Sequence, residues 1–182
     1  MAITIAITII TNLINVILIA RSLGAEDFGL FTYYFTLSAL SMLILNYGYP
    51  ISLPKHIASN SDDAKRLFEE SLAVKLLIFL LLFIFITFYS VISNQFILLI
   101  FFLSLSLLSF SEHFNLLNRG MGDFSAETKN TLLGNVFFVS FILAIYFNQP
   151  SIINYALAIF ISRIISLTIT VRQVKKIIPT IK

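Results

Sequence analysis

The chain has 182 residues, of which 58% are hydrophobic and only 12% are charged, with a net charge of +3 and no cysteine. Such a composition leaves no room for a separate soluble domain and is typical of a membrane protein. The absence of cysteine excludes thiol catalysis, thiolate metal sites and disulfides in this sequence. The excess basic residues flank apolar segments, so they indicate membrane topology and anionic-lipid contact rather than nucleic-acid binding.

Four long uncharged stretches predict the transmembrane helices: Met1–Ala20, Phe28–Pro54, Leu76–Ser111 and Asn130–Ser162. Because about 20 apolar residues cross a ~30 Å hydrocarbon core, the first two stretches are one span each. The other two are too long, and turn sequences interrupt them at Ser93-Asn94-Gln95 and Asn148-Gln149-Pro150. The prediction is an all-α polytopic membrane protein with a single domain over residues 1–182 and spans at about 2–20, 28–50, 76–92, 96–114, 131–147 and 151–171.

The basic residues orient the predicted spans. Ten of the twelve fall on one side of the predicted topology: Lys55, Lys65, Arg66, Lys75, Arg119, Lys129, Arg172, Lys175, Lys176 and Lys182. The positive-inside rule assigns that side to the cytoplasm, together with both termini. Residues 55–75 and 115–130 are then the cytoplasmic loops, and the first of them has the pattern of an amphipathic helix.

Span one is polar for a helix that contacts lipid. Thr4, Thr8, Thr11 and Asn15 follow a helical spacing that lines them along one face. Polar groups in hydrocarbon are costly without partners, so we expect this face to meet another helix or an aqueous cavity. Hydrogen bonding between helices and ligand contact both remain open for these side chains.

Glycine and proline mark the predicted ends of several helices. Gly24 is suited to a helix C-terminal cap with positive φ. The segment Asn46–Pro50, followed by Pro54, predicts a kinked or unwound end of span two. Gly120 and Gly122 are expected to break the helix in the second cytoplasmic loop.

Arg163 has the highest free-energy cost of insertion into a membrane, because it lies about midway along the sixth predicted span. A charged side chain at that depth costs about 3 kcal/mol on insertion scales, so we expect it to face a cavity or a partner. Glu112, near the cytoplasmic end of span four, is the candidate ion-pair partner. Without that pair, Arg163 is free to bind an anionic group such as a lipid phosphate, which suits its forked donors.

No catalytic motif is present, so the chain is not expected to be an enzyme. The sequence has no HExxH, G-x-S-x-G, P-loop or dinucleotide fingerprint. His56 and His113 do not have metal-ligand spacing, and neither a metal nor a cofactor is expected. An integral-membrane transferase that uses His56 or Glu112 at the cytoplasmic face is kept as an alternative.

Three segments carry a resemblance to a known family. The segment Ala20–Leu30 (ARSLGAEDFGL) closely resembles the A-R-x-L-G-x-x-x-[FY]-G-x segment after the first span of polysaccharide-unit flippases. Asn46-Tyr47-Gly48 stands where that family often has Asp-Phe-Gly, and Lys55-His56-Ile57-Ala58 resembles its basic-x-[IV]-A segment. The family comprises O-antigen and capsule transporters of the multidrug/oligosaccharidyl-lipid/polysaccharide exporter superfamily, and the resemblance is strongest over residues 12–75.

This resemblance implies a helical bundle with a central polar cavity in the bacterial cytoplasmic (inner) membrane. Its members move an undecaprenyl-pyrophosphate-linked oligosaccharide from the inner to the outer leaflet by alternating access. Arg21 matches the motif, and Arg163 is a cavity candidate on energetic grounds alone. A buried arginine would bind the pyrophosphate, while the glycan would slide along asparagine side chains, for which the candidates are Asn12, Asn15 and Asn46.

Two departures from the family pattern lead to further expectations. Family members usually have twelve or more spans in two halves, whereas this chain supplies six. It is therefore expected to be one half (the N-lobe) of a transporter, a truncated or split product completed by a homodimer or a separate chain. The alternatives are a non-transporting membrane subunit of a polysaccharide assembly complex, and a multidrug exporter, which would require carboxylates deep in the spans.

Overall fold

The computed structural model describes residues 2–59 and 63–177, and nearly all of them are helical. The helices are α1 (Ala2–Asn46), α2 (Tyr49–Ser59), α3 (Ala64–Ile92), α4 (Phe96–Gly120), α5 (Phe124–Asn148) and α6 (Ile152–Ile177). Within these described ranges, five helical segments are long and apolar enough to cross a membrane: α1 taken together with α2, and each of α3 to α6. The predicted all-α class is confirmed, and the helices are those of a polytopic membrane protein.

Helix α1 is interrupted at Gly24, which divides it into two arms, residues 2–23 and 25–46. Gly24 has φ 76° and ψ 176°, a conformation that glycine alone adopts without strain. The arms run in opposite directions, because contacts of the first arm's end and the second arm's start lie at the same end of the bundle. Four pairs define this arrangement: Ser22–Tyr155, Thr8–Asn135, Phe31–Phe101 and Asn46–Ser109. The predicted positive φ at Gly24 is confirmed.

Replacing Gly24 with alanine should lower the free energy of unfolding by about 1–3 kcal/mol, because a Cβ is strained in this backbone conformation. Gly29 is the matched control, since its φ is not in the positive range and no atom lies within 4 Å of the Cβ position. Gly29→Ala should leave stability unchanged or raise it slightly, as alanine favours helix. Thermal unfolding in detergent measures both, and equal effects of the two substitutions would contradict this account of the turn.

The bundle has two different ends. Turns of a few residues at Gly24, between α3 and α4, and between α5 and α6 lie at one end, which we call the short-turn end. Helix α2 and the α4–α5 turn lie at the other, which we call the α2 end. The predicted turns at Ser93-Asn94-Gln95 and Asn148-Gln149-Pro150 are confirmed, as α3 ends at Ile92 and α5 ends at Asn148.

Helix α4 is the centre of the bundle and packs against all the other helices. It buries an unusual set of polar side chains for an apolar helix: Ser104, Ser106, Ser109, Ser111, His113, Asn115 and Asn118. Some of the hydroxyls bond within the helix, as when Ser104 Oγ donates to the carbonyl of Ile100 at 2.6 Å. Others bond to neighbouring helices, as when Ser111 Oγ lies 3.1 Å from Thr170 Oγ1 of α6, so α4 contributes to the polar interior of the protein.

Two apolar clusters close the bundle above and below that polar interior. At the short-turn end, Phe31, Phe101, Phe102 and Tyr155 form the centre of the larger cluster. At the α2 end, Leu53, Ile57, Phe68, Leu116 and Val174 form the smaller one, which seats α2 against α4. Gly120 permits that close approach, because a Cβ there would lie 2.7 Å from the Ile57 side chain.

The two segments predicted to be cytoplasmic loops differ in structure from the prediction. Residues 55–75 are not one amphipathic helix, since α2 ends at Ser59 and α3 begins at Ala64 and continues unbroken to Ile92. No glycine or proline interrupts α3, so the helix that starts in the polar segment extends into the apolar one. Residues 115–130 reduce to a short turn at 121–123, where Gly122 has φ 77° and the Asp123 carboxylate caps the Ala126 N–H at 3.0 Å.

Candidate functional site

A cavity of about 420 Å³ lies in the polar interior and is lined by both arms of α1 and by residues of α2, α3, α4, α5 and α6. Its charged lining residues are Lys75, Glu112, Arg119, Glu127 and Arg163. Five asparagines, Asn12, Asn46, Asn115, Asn130 and Asn135, add carboxamides. A bundle of apolar helices therefore encloses a site with charged groups and many neutral hydrogen-bonding groups.

Arg163 lies in the wall of this cavity with only 8% of its surface exposed. Its guanidinium carbon lies 4.3 Å from the centroid of the Phe138 ring, in a cation–π arrangement. The Nε atom is buried without a hydrogen-bond partner. An aromatic face stabilises the charge in part, but the forked N–H donors of Arg163 remain available to an anion that enters the cavity.

Glu112 is not the direct ion-pair partner of Arg163 that the sequence predicted. Among the residues that the structure describes, the ion pairs are Arg66–Glu70 and Arg119–Glu127. Glu112 lines the same cavity and its charge interacts with Lys75, Arg163 and Arg119. The direct pair is absent because Arg163 instead lies over Phe138, and the Glu112 side chain is exposed to the cavity.

Lys75 is the most completely buried charge of the site, with 1% of its surface exposed. Its Nζ donates to Asn46 Oδ1 at 3.0 Å and to the carbonyl of Ser109 at 2.9 Å. Ser109 Oγ donates to the same Asn46 oxygen, and the Phe110 ring centroid lies 5.6 Å from Nζ. These contacts connect α3 and α4 to the end of α1, next to the break at Tyr47 and Gly48.

Arg119 and Glu127 form an ion pair across the α4–α5 turn at the α2 end of the cavity. Arg119 Nε donates to Glu127 Oε2 at 3.2 Å, and a second nitrogen, Nη2, donates to Oε1. The two charges therefore compensate each other. Of the charged residues in the cavity lining, this leaves Arg163, Lys75 and Glu112 without an ion-pair contact.

The asparagines of the lining are partly bonded to one another. Asn115 Oδ1 accepts from Asn130 Nδ2 at 3.0 Å and from Asn118 Nδ2 at 3.4 Å. Asn135 Nδ2 donates to Thr8 Oγ1 at 3.1 Å, which joins α5 to the first arm of α1. Carboxamides and hydroxyls of this kind bind neutral polar groups by hydrogen bonds without a fixed charge.

Four of the six candidate residues from the sequence meet in this cavity: Asn12, Asn46, Glu112 and Arg163. Asn15 is 2% exposed and does not line it, and both of its side-chain polar atoms lack hydrogen-bond partners. Arg21 is exposed and outside the lining, near the short-turn end. Its place in the chain, two residues after the buried Ile19 and next to Ser22, puts it beyond the polar interior.

The polar face predicted for span one turns inward. Thr11 is 8% exposed and Asn15 2% exposed, and Thr8 lines the cavity. The side chain of Thr4 lies outside the described residues. Thr8 accepts a hydrogen bond from Asn135, so hydrogen bonding between helices is confirmed for this face. Thr8 also lines the cavity, and ligand contact stays a prediction.

The sequence interpretation missed Lys75 and the Arg119–Glu127 pair as parts of the site. All were assigned to cytoplasmic loops because basic residues near span ends usually report topology. Lys75 immediately precedes the run of apolar residues in α3, which was a usable signal that its side chain meets the bundle. The eight-residue separation of Arg119 and Glu127 across a glycine-containing turn was a second signal, since it allows the two side chains to meet.

The structure gives no catalytic arrangement to the two histidines. His56 is exposed on α2 outside the cavity lining, whereas His113 belongs to the lining and is otherwise buried, with Nε2 3.1 Å from Ser71 Oγ. The rings of Tyr49 and Phe68 pack on His113. Among the residues that the structure describes, no group of three or more His, Cys, Asp or Glu side chains is arranged to hold a metal.

Long apolar helices around a polar, partly charged cavity define a membrane-embedded protein of the transporter-like type. Over residues 1–180 the chain matches the family described as "Polysaccharide biosynthesis protein" and belongs to it. The family resemblance seen in the sequence is thereby confirmed, and the members of this family are transporter-like membrane proteins rather than typical enzymes. No curated protein and no solved structure matches the chain.

Proposed function

We propose that the protein moves a lipid-linked oligosaccharide, an undecaprenyl-pyrophosphate-linked glycan, across the bacterial cytoplasmic membrane by alternating access. The observation that carries this proposal is Arg163, a buried guanidinium in a cavity wall that forms no ion pair with any acidic residue in the described part of the chain. A pyrophosphate is the anion that suits its parallel donors, and family membership supplies the link to polysaccharide synthesis.

The remaining lining suits the glycan part of such a substrate. Asn12 is exposed on the first arm of α1, Asn46 lines the cavity from the end of α1, and Asn130 and Asn135 line it from α5. Their carboxamides offer donors and acceptors to sugar hydroxyls, and weak multiple contacts of this kind allow a substrate to bind and to leave. Arg21 and Asn15, which do not line the cavity, have no assigned part in this binding.

We infer that the chain crosses the bilayer six times, with the two arms of α1 as separate spans and α2 at the cytoplasmic surface. The reversal at Gly24 and the basic residues near the α2 end support this topology. Both termini are then cytoplasmic, and the cavity lies nearer the cytoplasmic side. A second six-helix unit, from the same polypeptide, a second copy or another chain, would complete the substrate path as one half completes the other in such transporters.

Complementation tests this function. In a strain that lacks its polysaccharide-unit flippase, the wild-type protein should restore surface glycan, and Arg163→Ala should restore at most a tenth as much. Arg172→Ala is the matched control, because Arg172 lies on the same helix and is exposed outside the cavity lining. Restoration by Arg163→Ala equal to that of wild type would contradict the role of Arg163. No restoration by the wild type would contradict transport by this chain without a six-helix unit from another chain.

A further inference from the structure

Glu112, like Arg163 and Lys75, is a charged group of the cavity lining without an ion-pair contact among the described residues, and it is the one acidic group of the three. Its carboxylate is exposed to the cavity, and the charges of Glu112 and Arg163 are close enough to interact. Glu127, the other acidic group in the lining, forms an ion pair with Arg119. The Glu112 carboxylate accepts a hydrogen bond from the Asn46 side chain but has no ion-pair contact. A ligand whose anionic part lies at Arg163 therefore meets one carboxylate without an ion-pair contact in the remaining space.

Lys75 is not available to bind a carboxylate group of the ligand. Its Nζ is held by Asn46 and the Ser109 carbonyl, and 1% of its surface is exposed. A carboxylate on the ligand would have to break those hydrogen bonds to reach it. The accessible charges of the cavity are thus a cation at Arg163 and an anion at Glu112.

We propose that Glu112 selects the sugar nearest the phosphate by charge, favouring a sugar with a free ammonium group, accepting a neutral sugar and excluding a carboxylated sugar such as a uronic acid. The proposal rests on the proposed function for the anion at Arg163. An ammonium or hydroxyl group donates a hydrogen bond to the carboxylate. A second carboxylate in the same partly enclosed space is repelled, because the effective dielectric constant there is well below that of water.

Equilibrium binding to the protein in lipid nanodiscs tests this selectivity apart from transport. The probes are short-chain prenyl pyrophosphates that carry an amino sugar, N-acetylglucosamine or glucuronic acid. Wild type should bind the glucuronic acid probe about tenfold more weakly than the neutral one and the amino-sugar probe severalfold more tightly. Glu112→Gln should bring the three affinities to within about threefold, whereas Glu69→Gln, which removes an exposed carboxylate outside the cavity lining, should leave the order unchanged.

Each result has a distinct meaning. An order of affinities that Glu112→Gln does not alter would overturn the selectivity, as would equal binding of all three probes by wild type. Absence of binding by every probe would overturn both the selectivity and the anion site at Arg163. Glu112-dependent binding in a protein that fails to restore surface glycan would support the selectivity and overturn the proposed transport alone.

Discussion

Replacing Arg163 with methionine should make the protein more stable and inactive. Arg163 is buried, and within residues 2–59 and 63–177 its Nε has no hydrogen-bond partner and no carboxylate forms an ion pair with it. An apolar side chain of similar length removes the desolvation penalty and keeps the packing on Phe138, so the free energy of unfolding should rise by about 1–3 kcal/mol. Pyrophosphate binding should weaken roughly 10- to 100-fold, since charge-assisted hydrogen bonds to the anion are lost.

Two measurements on the same preparation check this prediction: thermal unfolding in detergent and binding of a short-chain prenyl pyrophosphate. Arg172→Met is the control, because it removes an exposed charge of the same helix and should change neither quantity appreciably. A large loss of stability in Arg163→Met would instead identify Arg163 as a structural residue of the bundle. A stability change together with unaltered binding would exclude it from the anion site.

Lys75→Met should have the opposite effect on stability, although Lys75 is even more deeply buried than Arg163. Its ammonium group donates to Asn46 and to the Ser109 carbonyl, so its removal breaks two charge-assisted hydrogen bonds. It also removes the cation that offsets the nearby Glu112 carboxylate. We expect a loss of about 2–4 kcal/mol in the free energy of unfolding.

Lys65→Met provides the comparison, since Lys65 is exposed on the same helix ten residues earlier and should tolerate the change. The double variant Lys75→Met with Glu112→Gln should recover part of the lost stability, because it no longer leaves a carboxylate without its neighbouring cation. An unchanged unfolding temperature in Lys75→Met would show that the cluster around Asn46 does not hold α1 to α3 and α4. No recovery in the double variant would remove Glu112 from that explanation.

The helices and most of their ends were predictable from the sequence, because these features depend on local properties. Apolar length sets which segments suit a bilayer, and turn residues such as Asn94 and Gly24 interrupt a helix through their own backbone preferences. The same locality explains the error over residues 55–75. Amphipathic patterning favoured a separate helix, but nothing in the chain after Ala64 stops the helix before Ile92.

The energetic argument for Arg163 also needed no tertiary information. A guanidinium in the middle of an apolar segment must be solvated by something, and the structure gives it a cavity and an aromatic ring. The partner chosen from the sequence was wrong as a direct contact. The positions of Glu112 and Arg163 in the sequence, and their approximate depths in the membrane, do not determine whether the two side chains point toward each other.

By itself, the sequence determined the membrane class, the helical segments, their turns and the presence of one charge that requires a polar environment. Only the tertiary structure decided which polar groups share a cavity: it brought in Lys75 and the Arg119–Glu127 pair, and it left Arg21 outside. The physical reason is that the two kinds of effect act over different distances along the chain. Hydrophobic length and backbone preference act within one segment of the chain. Burial and charge compensation depend on how the helices pack around α4, and local sequence patterns do not show that packing.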